Sequence, residues 1–302
     1  MKVALISTVY NEAGSIRRWI DAVKAQTIRP DEFVITDGGS TDATVRLLEE
    51  GFVSGGFPKP RIIVQRCNIA RGRNLAIRNT TADLIASVDA SAIPEPRWLE
   101  EITRPFREHP GVDVVGGFCP LVVENVFQKR VEKYNREEQL PVGSDCSSSS
   151  RNIAFTRKAW ESVGGYPEWV TLTAEDALFN ANLHFAGVRF YYQPSARVSW
   201  ELRPDLPSYL KMVWNYGYGS AEIGQFPRIY CGWLLTTLAP PLILFSRHPL
   251  SDALLRYRRN AAGARGWVEG KLKGHRPPGD WRRIDGIWIS PQTLATVKGP
   301  PV

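Results

Sequence analysis

Short apolar runs recur through the first third of the chain, and polar, turn-forming residues separate them. Each run has the length and the continuous apolar character of a strand that is buried on both faces. The predicted strands are residues 3–8, 33–36, 61–64 and 84–88.

Amphipathic segments lie between these runs. Residues 15–26 carry apolar side chains three and four positions apart, which is the period of a helix with one buried face. Further helices are predicted at 43–50, where Asp42 is a candidate cap, and at 71–79. The strand–helix–strand order predicts an α/β fold with a Rossmann-like, mostly parallel sheet flanked by helices.

Three polar residues stand at the carboxyl ends of predicted strands, namely Thr8, Asp37 and Asp89. In open α/β sheets, ligands bind in the crevice beyond this edge. The sequence therefore predicts that these side chains gather in one binding crevice.

The second half of the chain is patterned less regularly. Its predicted elements are a strand with a glycine-rich bend at 114–123, a charged helix or exposed excursion at 124–138, a polar loop at 147–150, helices at 160–163 and 174–186, and a strand at 188–192. Residues 215–219 combine two glycines with aromatic residues, which predicts either a hinged loop over the site or an ordinary turn.

The composition fits an ordinary soluble protein of 302 residues, with 43% hydrophobic and 23% charged residues. Its four cysteines are scattered and match neither a disulfide framework nor a metal-binding spacing, which favours a reducing cytoplasm. They are Cys67, Cys119, Cys146 and Cys231. The apolar run at 3–6 is too short for a signal-peptide core, so we expect no export signal.

The net charge is +7, and basic residues are concentrated after residue 247. This region is either a solvated basic face or a contact for an anionic membrane surface. We expect no nucleic-acid partner, because no nucleic-acid-binding motif accompanies the charge. The apolar window 230–245 is shorter than the roughly 20 residues that span a bilayer, which leaves an interfacial helix on the inner face of the cell membrane or a hairpin packed on the domain.

Several motifs follow one another in a fixed order. They are Tyr10-Asn11-Glu12, the turn from Asp37 to Asp42, Arg73-Asn74, Asp89-Ala90-Ser91, Arg151-Asn152, Gly164-Gly165-Tyr166-Pro167 and Glu175-Asp176. This series resembles the inverting family-2 glycosyltransferases of the GT-A fold. The resemblance covers roughly residues 1–225. It implies a GT-A domain at 1–225, with a nucleotide-binding half at 1–112 and an acceptor and catalytic half at 113–225, followed by a basic, partly apolar, helical C-terminal appendage at 226–302.

The resemblance also implies roles in donor binding. Thr8, Tyr10 and Asp37 match positions that contact the nucleoside, with Tyr10 suited to stacking on the base and Asp37 to accepting a base N–H. Glu12 lies near enough in sequence to help fix the base or ribose. Arg73 and Asn74 match an Arg-Asn step at a helix start, where a guanidinium suits phosphate oxygens.

Asp89 stands where the family's metal-binding Asp-x-Asp motif begins, but Ser91 stands in place of the second acid. Trp200 also stands where many members place a histidine ligand. Three interpretations remain open. A divalent cation, Mg²⁺ or Mn²⁺, binds through Asp89; arginines such as Arg73 or Arg203 neutralise the phosphates instead; or catalysis is lost.

Glu175-Asp176 matches the family's catalytic acidic pair. The resemblance implies that Asp176 is the base that deprotonates the acceptor hydroxyl, while Glu175 orients the acceptor or the loop. Taken alone, an acidic pair at a helix start would more often complement the helix dipole.

The predicted activity is inverting transfer of a sugar from a nucleotide-sugar, with UDP favoured, to a glycan or lipid-linked acceptor hydroxyl. One alternative is a non-catalytic nucleotide-sugar binder or membrane scaffold of the same fold. A sugar-phosphate nucleotidyltransferase is disfavoured, because residues 10–14 lack a basic, glycine-rich loop.

Overall fold

A computed structural model of the chain describes residues 1–53, 56–136, 149–245 and 250–296. Cys146 and residues 147–148 of the predicted polar loop lie outside this range. The strands are β1 (Val3–Val9), β2 (Glu32–Asp37), β3 (Arg61–Val64), β4 (Leu84–Val88), β5 (Ala92–Pro94), β6 (Val114–Phe118), β7 (Leu121–Val122), β8 (Asn152–Thr156), β9 (Phe190–Glu201), β10 (Arg282–Ile284) and β11 (Ile287–Ile289).

The helices surround these strands. They are α1 (Ile16–Lys24), α2 (Thr44–Gly51), α3 (Ile69–Arg78), α4 (Trp98–Thr103), α5 (Pro105–Glu108), α6 (Val126–Arg136), α7 (Arg157–Ser162), α8 (Glu175–Phe185), α9 (Leu206–Ile223), α10 (Pro227–Leu238), α11 (Ala253–Lys273) and α12 (Pro291–Thr296), with 3₁₀ turns at Pro240–Phe245 and Leu250–Asp252. Within the described ranges, no helix is both long enough and apolar enough to span a bilayer.

Most strands belong to one mixed sheet with the order β3-β2-β1-β4-β8-β6-β9-β5, and β7 pairs with β9 outside this path. The first four strands are parallel, as predicted. Strand β8 is antiparallel to both β4 and β6, whereas β9 runs parallel to β6. The sequence did not predict β5 or β8, and β8 lies at the centre of the sheet.

Hydrophobic clusters cover both faces of the sheet. Leu5 and Ile35 belong to the cluster on one face, which includes Trp19 and Trp98. Ala4, Ile6 and Val34 belong to the other, which includes Phe155 and Phe179. Neighbouring residues of β1 therefore face opposite layers, which explains why the parallel strands are apolar throughout.

Residues 215–219 form neither a hinged loop nor a turn, and both predictions for this segment are wrong. They lie inside α9. Their glycines let α11 approach closely, because a Cβ at Gly217 would lie 2.2 Å from the carbonyl oxygen of Gly263. A Cβ at Gly266 on α11 would similarly lie 2.1 Å from the carbonyl oxygen of Trp214. Small residues on both helices therefore serve backbone contact here.

The C-terminal residues pack on the rest of the chain. Helix α11 lies along α9, α10 lies along α11, and β11 contacts α8. Tyr230 on α10 is buried and stacks on Trp267, with the ring centroids 6.3 Å apart. The opposite side of α10 exposes Ile229, Leu235 and Leu238. The division of the chain at residue 225 remains a prediction.

Candidate active site

The parallel strands bring their carboxyl ends to one edge of the sheet. Strand β1 lies between β2 and β4, and Val9 is paired with Asp37. Asp89 directly follows the last residue of β4. Thr8, Asp37 and Asp89 therefore lie along the same edge, as the strand pattern predicted.

The residues predicted to meet the nucleoside lie beside β1 and β2. The carboxylate of Asp37 is fully buried and accepts hydrogen bonds from the backbone N–H groups of Gly39 (2.9 Å) and Ser40 (2.8 Å) and from the Ser40 hydroxyl (2.5 Å). It thus caps its own turn, and a role toward a base depends on its remaining lone pairs. Tyr10 is 60% exposed, so its ring can accept a stacking partner.

Thr8 and Glu12, near the carboxyl end of β1, differ in their hydrogen bonding. The Thr8 hydroxyl is buried and has no hydrogen-bond partner among the described residues. Buried polar groups are rarely left unpaired, so this hydroxyl is available to a ligand. Glu12 accepts a 2.5 Å hydrogen bond from the Ser15 hydroxyl, which ties it to the start of α1.

Arg73 joins the two acidic motifs at the centre of the site. Its guanidinium donates to Asp89 at 2.8 Å and also bonds directly to Glu175, and the side chain is only 2% exposed. Arg73 is therefore a buried residue of the site and not part of a surface ion pair. Its Nε–H has no partner among the described residues, but the side chain is almost fully buried between the two acids. The phosphate contact predicted for Arg73 remains a prediction, and in this structure the guanidinium holds Asp89 and Glu175 together.

Asn74 is buried with its hydrogen-bonding capacity fully used. Its amide nitrogen donates to the carbonyl oxygen of Tyr166 and to Glu168, and its oxygen accepts from the Tyr166 N–H and the Trp160 indole. An asparagine side chain has two donor and two acceptor positions, and all four are occupied. These bonds link α3 to the Gly164–Pro167 turn, and the nucleotide contact predicted for Asn74 remains a prediction.

Glu175 and Asp176 begin α8 but differ in environment. Glu175 is buried, and burial raises its pKa to about 7 even though the Arg73 guanidinium opposes the shift. Asp176 is half-buried, and one of its oxygens lies 3.4 Å from both the Ser149 hydroxyl and the Ser150 N–H. Of the two, Asp176 is the carboxylate that an acceptor can reach.

The turn before α8 is held in an unusual conformation. Ala174 has a φ of 74°, which is uncommon for a residue with a side chain. Thr173, which precedes it, donates to the carbonyl oxygen of Asn215 on α9 at 2.9 Å. Gly219 on α9 lets the two segments meet, since a Cβ there would lie 2.2 Å from the carbonyl oxygen of Thr173. Packing against α9 therefore orients the acidic pair.

Arg151 was not among the predicted site residues. Its guanidinium lies over the ring of Trp200, with 3.9 Å between the guanidinium carbon and the ring centroid. Burial lowers the pKa of Arg151, but Tyr216, Cys119, Asp89 and Asp176 raise it by more, so its charge is stabilised close to the acidic residues. The sequence did contain a signal for Arg151. It is the Arg151-Asn152 motif together with Trp200, an aromatic residue at the position where the resemblance implies a histidine ligand.

Its neighbour Asn152 anchors the motif. Asn152 is fully buried, accepts from the Trp98 indole at 2.8 Å, and donates to the carbonyl oxygens of Phe118 and Ala196, both at 2.9 Å. It thereby joins β8 to β6 and β9. Arg203 instead lies exposed beyond the end of β9 without a recorded ion pair to a described residue, and its phosphate role remains a prediction.

The residues around Asp89 offer few ligands to a divalent cation. Asp89 already accepts from Arg73, Ser91 is a neutral hydroxyl, and Trp200 offers no oxygen or imidazole donor. Among the described residues there is no group of three His, Cys, Asp or Glu side chains that could hold a metal ion. Mg²⁺ is usually bound through one or two carboxylates together with substrate phosphates and waters, and here the side chains supply a single carboxylate that Arg73 shares.

The sequence pattern of glycosyl transferase family 2 matches residues 4–161, which is more than half of the chain. The chain belongs to this family. The match includes the strand-end residues and Arg151, and it ends before Glu175-Asp176.

Relatives with assigned names cover more of the chain. It is 28% identical over 210 residues to an O-antigen chain rhamnosyltransferase of Salmonella typhimurium, and the aligned region is 66% of each chain. It is 27% identical over 218 residues to a glucosyl-dolichyl phosphate glucuronosyltransferase of Haloferax volcanii, again 66% of each chain. The alignments thus span about two thirds of these relatives.

Two solved structures share the fold. One is a mannosyltransferase from Pyrobaculum calidifontis in complex with GDP-Man and Mn²⁺, with a TM-score of 0.58, 18% identity and coverage of 89% of this chain and 73% of that one. The other is residues 1–349 of TarS from S. aureus in complex with UDP, with a TM-score of 0.53, 15% identity and coverage of 100% and 98%. They confirm the predicted GT-A fold.

Proposed function

We propose that this glycosyltransferase transfers a sugar from a nucleotide-sugar to an acceptor hydroxyl in one step, with inversion at the anomeric carbon. The observation that carries the proposal is the contrast between the half-buried Asp176 and its buried neighbour Glu175, which Arg73 ties to Asp89. One carboxylate remains accessible at an otherwise fixed acidic centre, as a general base requires.

In this reaction the acceptor hydroxyl oxygen attacks the anomeric carbon while Asp176 takes the hydroxyl proton. The bond between the anomeric carbon and the phosphate oxygen breaks, and its electron pair leaves on the nucleoside diphosphate. Arg73 holds Glu175 and Asp89 in place, and the Ser149 and Ser150 contacts orient Asp176. Such positioning of reacting groups is a large part of catalysis.

The donor occupies the carboxyl edge of β1, β2 and β4. Tyr10 stacks on the base, Asp37 accepts a base N–H, and the unpaired Thr8 hydroxyl and Glu12 contact the nucleoside. We favour UDP as the nucleotide of the donor. TarS was solved with UDP bound, whereas the Pyrobaculum enzyme was solved with GDP-Man. That enzyme also holds Mn²⁺, for which Asp89 would be the carboxylate ligand at this site.

The acceptor is a growing glycan or a lipid-linked saccharide, in polysaccharide biosynthesis of the cell envelope. The names of the Salmonella and Haloferax relatives support this class. The exposed Ile229, Leu235 and Leu238 of α10 lie in a strongly basic part of the chain that includes the exposed Arg228 and Arg258. Apolar side chains flanked by cations suit the inner face of an anionic membrane, where a lipid-linked acceptor would be found.

Nucleotide binding and the configuration of the product test this function. We expect one of the UDP-, GDP- or dTDP-sugars to raise the melting temperature, and NMR of the glycosylated product to show the opposite anomeric configuration to the donor. Asp176→Asn should retain donor binding and lose about 10²- to 10⁴-fold in turnover. Asp83→Asn, an exposed acid at the opposite edge of the sheet, should leave both unchanged.

Retained configuration, or full turnover in Asp176→Asn, would contradict the mechanism. Donor binding without turnover or slow hydrolysis by the wild type would favour the non-catalytic binder. A wild-type protein that binds none of these nucleotide-sugars would contradict the proposal as a whole.

A further inference from the structure

Two features of the donor end remain unexplained by the proposed mechanism. The first is the guanidinium of Arg151, which lies 3.9 Å above the Trp200 ring and, within the described part of the chain, forms no recorded hydrogen bond or ion pair. The second is that, among the described residues, Asp89 is not part of any group of three side chains that could hold a metal ion, and it already accepts from Arg73. Both features bear on which group supplies the positive charge that stabilises the leaving diphosphate.

The charged side chains of the site show why the diphosphate requires a further cation. Asp89 and Asp176 both act on Arg73 and on Arg151, and Glu175 acts on Arg73 as well. Arg73 is only 2% exposed and lies between Asp89 and Glu175, so its charge is directed at these two acids. A donor diphosphate adds further negative charge, and Arg151 is the nearby cation whose donors the described residues leave free.

We propose that Arg151, stacked on Trp200, binds the diphosphate of the nucleotide-sugar and takes the place of a divalent cation. This inference rests on the proposed function. The guanidinium is planar, and stacking on an aromatic face leaves the N–H groups at its edge available. These N–H groups form a fork that matches two phosphate oxygens.

The position of Trp200 supports the exchange of a metal for an arginine. Trp200 is paired with Ala92 on β5, three residues after Asp89. The resemblance described above places a histidine ligand at this position in many members. Here the same strand position provides an aromatic surface for a fixed cation.

The test is isothermal titration of the full chain with the nucleotide-sugar identified above, in EDTA and in Mn²⁺. We expect the wild-type Kd to agree within about twofold between the two conditions. Arg151→Gln should weaken binding about 10- to 100-fold in both, which is the range for losing hydrogen bonds to a charged group. Arg197→Gln is the matched control, because Arg197 also lies over a ring, that of Phe118, but pairs with Glu95 on the surface. It should bind as the wild type does.

Arg151→Lys keeps a cation and most of the stem, and it covers the case in which Arg151→Gln does not fold. It should still bind at least about tenfold more weakly, because an ammonium cannot form the two-pronged contact. Binding that requires Mn²⁺ and is unaffected at Arg151 would overturn this inference and leave the proposed function intact. Wild-type affinity in Arg151→Lys would exclude the forked contact. Absence of donor binding in the wild type would instead remove the proposed function.

Discussion

Arg73 and Arg151 lie in one site but in opposite environments. Arg73 is 2% exposed and bonds to two carboxylates, Asp89 and Glu175. Arg151 rests on an aromatic ring, and the described residues leave its guanidinium without a hydrogen bond. The same side chain is therefore part of the framework in one case and available to a ligand in the other.

The difference follows from the elements that carry them. Arg73 belongs to α3, which is packed between the sheet and the turn before α8, so it has acids on both sides. Arg151 immediately precedes β8, with Trp200 beneath it on β9. A buried guanidinium needs paired charges, whereas a stacked one can keep its donors for a substrate.

The largest expected effect is the loss of the buried arginine. Arg73→Met leaves Glu175 and Asp89 without their shared cation, so we expect the free energy of unfolding to fall by about 3 kcal/mol or more. Arg151→Met should change it by less than about 1 kcal/mol, because no described ion pair is broken. Urea denaturation of both variants measures the contrast. Equal losses would show that the two arginines do not differ in role.

Sequence patterns predicted the region around β1, β2 and β4 well. Continuous apolar runs identify buried parallel strands, and strand ends in such a sheet converge, so the common location of Thr8, Asp37 and Asp89 followed from local information. The motif series resembled the correct family for the same reason. Its residues are close in sequence to the strands that position them.

The second half depended on contacts between distant segments. Strand β8 begins at Asn152, and the hydrogen-bond partners of this side chain come from three other segments. They are Trp98, Phe118 and Ala196. No local sequence pattern predicts these contacts. Gly217 and Gly219 suggested a turn because their function, the approach of α11 and of Thr173, is visible only in three dimensions. The hydrogen bonds of Asn74 to Trp160 and Tyr166 likewise come from a segment distant in sequence.

The region around Glu175 also depends on close packing against α9. Gly219→Ala would place a methyl group 2.2 Å from the carbonyl oxygen of Thr173, and backbone cannot move aside cheaply. We expect a loss of about 2 kcal/mol in unfolding free energy and reduced turnover, because the turn before Asp176 shifts. Gly232→Ala on α10 meets open space and should be neutral or stabilising, as alanine favours helix. Denaturation and turnover assays of both variants test this. Similar results for the two glycines would contradict the packing argument.

The pH dependence of stability isolates Glu175 from the other acids. Its pKa is raised to about 7 by burial, against 4.5 for an ordinary glutamate, so the folded state holds a proton that the unfolded state has released. Stability should therefore fall as pH rises from about 4.5 through about 7, by up to about 3 kcal/mol. Glu175→Gln cannot ionise and should show a flatter profile when unfolding is measured at pH 5 and pH 8. An unchanged slope in that variant would show that Glu175 remains charged beside Arg73 throughout.

The smallest expected effect concerns the surface beneath Arg151. Trp200→Leu keeps an apolar side chain on β9 but removes the ring that holds the guanidinium, and such cation–π contacts are worth about 0.5 to 2 kcal/mol. Donor affinity in EDTA should fall about 3- to 30-fold by titration, less than in Arg151→Gln, since the cation itself remains. Phe118→Leu removes the comparable ring beneath Arg197, at 5.3 Å, and should leave affinity within about twofold. If Trp200→Leu bound the donor as tightly as the wild type, the ring would have no part in orienting Arg151, and the contrast between the two arginines would rest on burial alone.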